Sequence, residues 1–277
     1  MHAPTTADYL RWTFARSWAE REVLLLLTAF YVVVGLILSL PYSPALETLN
    51  AAMQSGDPAA AADAFRALPW HYWLAQAVFL LFNFAINVVW VRAAVLGRDQ
   101  ALDGGASAFM ARLIGVVARF LAYVGLVIVM AIILFVPAFL LGLLLSIVGG
   151  IVGLSGEVTT NLVLTVMGVA ALIGLCALAL AFTVAVVARC LDRQQSVLAS
   201  LRGLRGTWLS FAAAVAIVLF GGALLTSVLG QILAGGGPTN AIALGVTTAV
   251  WFMAGALIYV ASAFYVANRS GMVPADE

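Results

Sequence analysis

Lysine is absent from this chain of 277 residues, so all 13 basic residues are arginine. Charge of either sign is scarce, at 9% of residues against 64% hydrophobic. A soluble domain carries roughly a quarter charged residues to cover its surface, so that class is excluded. Cysteine is nearly missing. Cys176 falls deep in an apolar block and Cys190 just past its end, roughly 21 Å apart along a helix and too far for a disulfide. His2 and His71 have no Cys or carboxylate at ligand spacing, which argues against a metal centre. Also missing are the phosphate-binding glycine–lysine loop, the paired-histidine zinc motif, a Ser/His/Asp set and carboxylates at two-metal spacing. The expectation is a protein that is not an enzyme and uses no cofactor. With a net charge of +1, no nucleic-acid partner is expected.

What is present is a series of long charge-free blocks separated by arginine-rich gaps. A helix needs about 20 apolar residues to cross a hydrocarbon core ~30 Å thick. Candidate spans lie at 22–40, 71–96, 113–140, 159–188, 208–233 and 241–267. The stretch from Gly206 to Asn268 has no charge, and the glycine–proline segment 234–240 divides it. Between 113 and 188 only Arg119 and Glu157 interrupt the apolar run, leaving room for two long spans or three short ones. Two spans put every arginine except Arg66 on one side; three would scatter them. The positive-inside rule selects two. The reading is an all-α polytopic membrane protein with six transmembrane helices and both termini cytoplasmic, in a single domain over 1–277. Abundant alanine and glycine, with arginine in place of lysine, point to a GC-rich bacterial genome and hence an inner membrane. Val23–Leu40 is longer than a signal-peptide core and has no small-residue cleavage site close behind it, so it reads as the first span. Pro137 and Gly149, Gly150, Gly153 and Gly156 predict that 137–156 is a bent continuation of span three plus an irregular or interfacial segment at its end.

Residues 41–70 form the external segment. Ser43-Pro44 and Asp57-Pro58 each look like a helix cap followed by proline at the first helical position. They predict short helices over 44–54 and 58–67, serving as a solvated cover or as a docking surface for a neighbouring subunit. The loops at 97–112 and 189–207 resemble one another. Asp103 and Ser107 match Asp192 and Ser196 in spacing, and the apolar Phe109, Leu113, Val116 and Phe120 match Val197, Leu201, Leu204 and Trp208, each set on one helical face. The N-terminal segment 1–21 is a partial match, with Leu10, Phe14 and Trp18 on one face and Arg11 and Arg16 off it. Amphipathic helices of this kind suit the headgroup region. They are either topology anchors or a site where Arg112, Arg119, Arg202 and Arg205 gather anionic phospholipid. Membrane lipids are therefore the expected partners, with other membrane subunits or a second copy beside them.

Inside the spans, Gln76, Asn83 and Asn87 are spaced by seven and four and form one polar stripe. The stripe either glues helices together or lines a solute path. Ala177, Ala181 and Ala185, and Gly245 with Ala249, are small-residue ridges that permit close helix approach. Glu157 precedes span four, where a helix N-terminus favours a carboxylate.

The segments VRAAVLGRDQALDGGASAFMARLIGVVARFLAYVGL and VARCLDRQQSVLASLRGLRGTWLSF resemble bacterial six-span proteins related to the membrane domain of glycerophosphodiester phosphodiesterases. The likeness covers most of 7–220. It implies a membrane body close to lipid. The phosphodiesterase chemistry of that family sits in a separate soluble domain with no counterpart here, so no catalytic residue carries over. The functional expectation is an accessory or scaffold subunit with bound lipid; the alternative is a carrier for a lipid or small amphipathic solute.

Overall fold

The computed structural model describes residues 4–152, 156–203, 208–233 and 241–270. Among these the chain is all-α, with no strand. In order the helices are α1 (Thr6–Ala19), α2 (Arg21–Ser39), α3 (Ser43–Gln54), α4 (Pro58–Arg66) and α5 (Trp70–Leu96). Then come α6 (Gly105–Val152), α7 (Gly156–Cys190), α8 (Val197–Gly203), α9 (Trp208–Leu233) and α10 (Ala241–Ser270). Six of them, α2, α5, α6, α7, α9 and α10, are long and apolar enough to cross a membrane. The protein is a multi-pass membrane protein.

Two expectations are corrected. The second half of the 97–112 loop is no separate interfacial helix, because α6 already begins at Gly105. Ser107 therefore lies inside α6, whereas Ser196 caps α8 by accepting the Ala199 N–H at 3.1 Å, and the two loops differ in structure. Within 137–156 the continuation of span three runs as helix as far as Val152, with Pro137 inside it, and leaves no irregular segment before that point; residues 153–155 lie outside the described residues. The physical reason is the solvent. Where no water competes for backbone groups, unpaired amides cost more than glycine or proline in a helix.

The chain divides into two compact units, residues 1–113 with 209–277, and residues 114–208. In the first, α10 is central. It packs on α2, α1 and α5, and 61% of its apolar stretch is buried, the largest share among the six. The α2–α10 crossing is antiparallel and built on facing glycines. A Cβ at Gly35 would stand 3.3 Å from Phe79 and 3.6 Å from Thr248, and one at Gly245 would stand 3.5 Å from Val32. Tyr31 stacks on Phe252 with ring centroids 4.5 Å apart. Trp90 of α5 is fully buried and donates its indole N–H to the Ala256 carbonyl of α10 at 3.0 Å.

Helix α1 starts on a capping box. The Thr5 hydroxyl accepts the Asp8 N–H, and the Asp8 carboxylate accepts the Thr5 N–H at 2.8 Å. Its buried face is Tyr9, Trp12, Thr13 and Ser17, packed through Tyr9 and Trp12 onto Phe264. Phe14 and Trp18 are exposed, as an interfacial helix requires, and Arg11 shares their stripe at i, i+3 and i+7. The Thr5 N–H, then the Thr5 hydroxyl and Arg11, hold Asp8 below its usual value of 3.8, against a small opposing desolvation. A depressed carboxyl contributes stability above its unfolded value and loses it as pH falls through the folded value. We therefore expect the protection of α1 amides against exchange, relative to an unstructured chain at the same pH, to fall from about pH 4 downward. The same fall in Asp8→Asn, at the same pH, would show that the cap is not its origin.

The segment between α2 and α5 is a helical hairpin, α3 packed on α4. Asp57 caps α4 by accepting the Ala59 N–H at 2.9 Å, and Gly56 takes φ +73° in the turn. Ser43 does not cap α3. A 3-10 turn over Leu40–Tyr42 joins α2 to α3 instead, and the Ser43 hydroxyl donates to the Leu40 carbonyl at 3.0 Å. Aromatic rings gather where this hairpin meets the spans, with Tyr42 on His71 and Tyr72, and Phe65 on Trp73. That is the composition of a membrane–water boundary.

In the second unit α6 and α7 run antiparallel. Gly115 meets Arg189, Tyr123 stacks on Phe182 with centroids 4.9 Å apart, and Gly174 meets Met130, so each step forward on α6 is a step back on α7. Ala181 and Ala185 are fully buried, as the small-residue ridge predicts. Helix α8 folds back onto α7.

Candidate functional site

The polar stripe of α5 is partly closed on itself. The Asn87 amide is buried and donates to the Asn83 side-chain oxygen at 2.9 Å and to the Asn83 carbonyl at 2.8 Å. Gln76 is half-buried and makes no hydrogen bond among the described residues. The stripe therefore divides into a pair bonded to each other and a separate amide two turns away.

Two buried arginines of the first unit hold backbone. Arg92, 3% exposed at the end of α5, donates through Nε to the Ala101 carbonyl at 3.2 Å and through Nη2 to that of Gln100 at 3.1 Å. Arg112, also buried, donates to the Asp103 carbonyl at 2.8 Å. The loop between α5 and α6 is thus wrapped around two guanidiniums that satisfy its carbonyls. Gly104 lets the chain turn there, with φ +85° and a Cβ position 2.7 Å from Ala108. Arg98, one residue past Gly97, reaches Glu22 at 3.4 Å on the surface; both are exposed, and such a pair is worth little.

In the second unit Arg119 is half-buried. Its Nε donates to the Gln195 carbonyl and its Nη1 to the Gly115 carbonyl, both at 2.9 Å. Arg189 is half-buried and lies against Gly115, within Coulombic reach of Arg119. Arg202 is exposed on α8, and Arg205 lies outside the described residues. Of the four arginines expected at a headgroup site, one is buried among loop carbonyls, one is folded onto a loop and one faces outward.

Arg92 and Arg189 are the residues that sequence reasoning passed over. Both looked like ordinary juxtamembrane arginines. A usable signal existed for Arg189, since pairing α6 with α7 in antiparallel register sets the glycine at 115 opposite it.

Among the described residues, no group of three or more His, Cys, Asp or Glu side chains could hold a metal ion, and Cys176 and Cys190 are not joined in a disulfide. No family model, no curated protein and no solved structure matches the chain.

Proposed function

We propose that the protein is a non-enzymatic scaffold or accessory subunit of an assembly in a bacterial inner membrane, with lipid held at its arginine-rich ends. The observation that carries this reading is the closed Asn83–Asn87 pair. A solute path needs polar groups that face an opening and can exchange partners. Asn87 is buried with both bonds made to its own helix, one turn from Trp90 and its bond to α10, which supports packing over passage. The outward surfaces of α2 and α6 are rows of large apolar side chains, among them Phe30, Ile37, Ile128 and Ile132. Such rows suit acyl chains, a second copy or a neighbouring subunit. Anionic phospholipid is the lipid that the arginines favour.

The carrier reading keeps one observation, the half-buried Gln76 with no hydrogen bond among the described residues. Replacing Gln76, Asn83 and Asn87 together by leucine separates the two. We expect partner retention in native mass spectrometry to fall while uptake of amphipathic solutes by cells stays as in wild type. A folded, fully assembled variant that has lost solute movement would overturn the scaffold reading.

The arginine asymmetry also supports a cytoplasmic location for both termini and for the loop at 191–196. Cysteines placed at Asp57 and Gln195 should label from opposite sides of the membrane; labelling of both from one side sinks this topology.

A further inference from the structure

We propose that Arg119 and Arg189 form a binding site for a phosphate-type oxyanion in the second unit. The site rests on reading the protein as a scaffold that holds lipid.

The construction begins at Gly115. A side chain there would run into the Cγ, Cδ and Nε atoms of Arg189, so only glycine lets that arginine lie flat across α6. The carbonyl of the same glycine accepts the Nη1 of Arg119, and the Gln195 carbonyl accepts its Nε. These two bonds fix the guanidinium plane, and neither uses Nη2. One glycine thus seats two guanidiniums from neighbouring helices. Two like charges held half-buried in this way repel each other, and a shared anion removes that repulsion. The surrounding charge has the same sign. Arg119 and Arg189, with the described residues of the 191–196 loop and α8, contribute four arginines and one aspartate. Asp192 is exposed and in the left-handed region at φ +60°. Even fully paired, a single carboxylate leaves this end positive.

The geometry selects the ligand class. Planar guanidiniums with fixed forks recognise phosphate oxygens in bidentate fashion, where lysine would supply only a point charge. The ligand is a phosphate ester at the end of two spans, and the same chemistry is offered by a lipid headgroup or by free phosphate. Long exposed apolar side chains on α6, Ile114 and Leu121 among them, flank the arginines and suit acyl chains.

The test is lipid retention by the full-length protein in detergent, followed by native mass spectrometry with phosphatidylglycerol, diacylglycerol and inorganic phosphate as probes. Wild type should retain phosphatidylglycerol over diacylglycerol, and R119Q and R189Q should each weaken that retention roughly fivefold. R202Q, on the exposed face of α8, should change it little. Gly115→Leu should reproduce the R189Q loss with both arginines present, because it displaces the side chain. If R119Q fails to fold after the Gln195 and Gly115 carbonyls lose their donor, R189Q, which leaves those two bonds in place, reads the same loss. Competition by inorganic phosphate at low millimolar concentration would assign the site to free phosphate; failure to compete assigns it to the lipid headgroup. Unchanged phosphatidylglycerol retention in folded R189Q overturns the site. That result with assembly intact leaves the scaffold reading standing, whereas Asn87-dependent solute movement would remove the scaffold reading and leave the site.

Discussion

Trp90→Ala is expected to lower the melting temperature of the detergent-purified protein by on the order of 10 °C, the largest single-residue effect in the first unit. The indole is fully buried between α5 and α10 and spans the interface with its bond to Ala256. Two contributions compete to explain the loss. An interhelical hydrogen bond in a membrane protein averages only ~0.6 kcal/mol. The cavity left by truncating an indole costs about 3 kcal/mol, even at the low end of the range for aromatic deletions. The low end applies because lipid tails are as apolar as the core, so lost packing rather than transfer from water sets the penalty. Packing should therefore dominate, and Trp90→Phe should recover most of the stability. A phenylalanine variant as unstable as the alanine one would show that the hydrogen bond decides.

Arg92→Met should leave the spans assembled and release the loop between α5 and α6. The guanidinium satisfies the carbonyls of Gln100 and Ala101 from a buried position, and bonds to a charged donor are worth about 1.5–3 kcal/mol each. Losing about 2 kcal/mol of local stability raises the open population roughly thirtyfold. Arg98 lies in this loop and is exposed, so trypsin cleavage after it reports opening directly. We expect cleavage to accelerate by at least tenfold in Arg92→Met and by less in Arg92→Lys, whose ammonium keeps the charge without the planar fork. Equal cleavage rates in all three proteins would mean that Arg112 alone holds the loop.

The spans were legible because their signal is redundant. Apolar length, arginine placement and the broken segment at 234–240 agree, and span five was placed at 208–233 from sequence as it stands in the structure. The far end of α6 was not legible, because Pro137 and the glycines carry water-based preferences that the lipid environment overrides. Spacing placed Gln76, Asn83 and Asn87 on one face, yet it could not distinguish a stripe facing neighbours from a pair bonded to itself. Periodicity also found the exposed Phe14 and Trp18, but assigned Arg11 to the wrong side of them. The arginine partners were beyond reach for a simpler reason. Arg92 and Arg119 bind backbone carbonyls, and a carbonyl has no residue identity for a sequence to display.

Helix α6 has 48 residues, and at ~1.5 Å per residue about 50 Å of it lies beyond Arg119 with no charged side chain. To fit that length within a hydrocarbon slab ~30 Å thick, the helix would have to lean by roughly 50°. Transmembrane helices lean by about 20° on average and seldom beyond 40°. The difference falls on the surroundings. Unless the helix kinks at Pro137, acyl chains bordering this hairpin must stretch, or the apolar tip must be sheathed by protein above the headgroups. Each ångström of hydrophobic mismatch costs a fraction of a kcal/mol, and the excess here runs to many ångströms. The second unit is thereby biased toward the thickest patches of bilayer available to it, which makes leaflet thickness itself a determinant of where the protein resides.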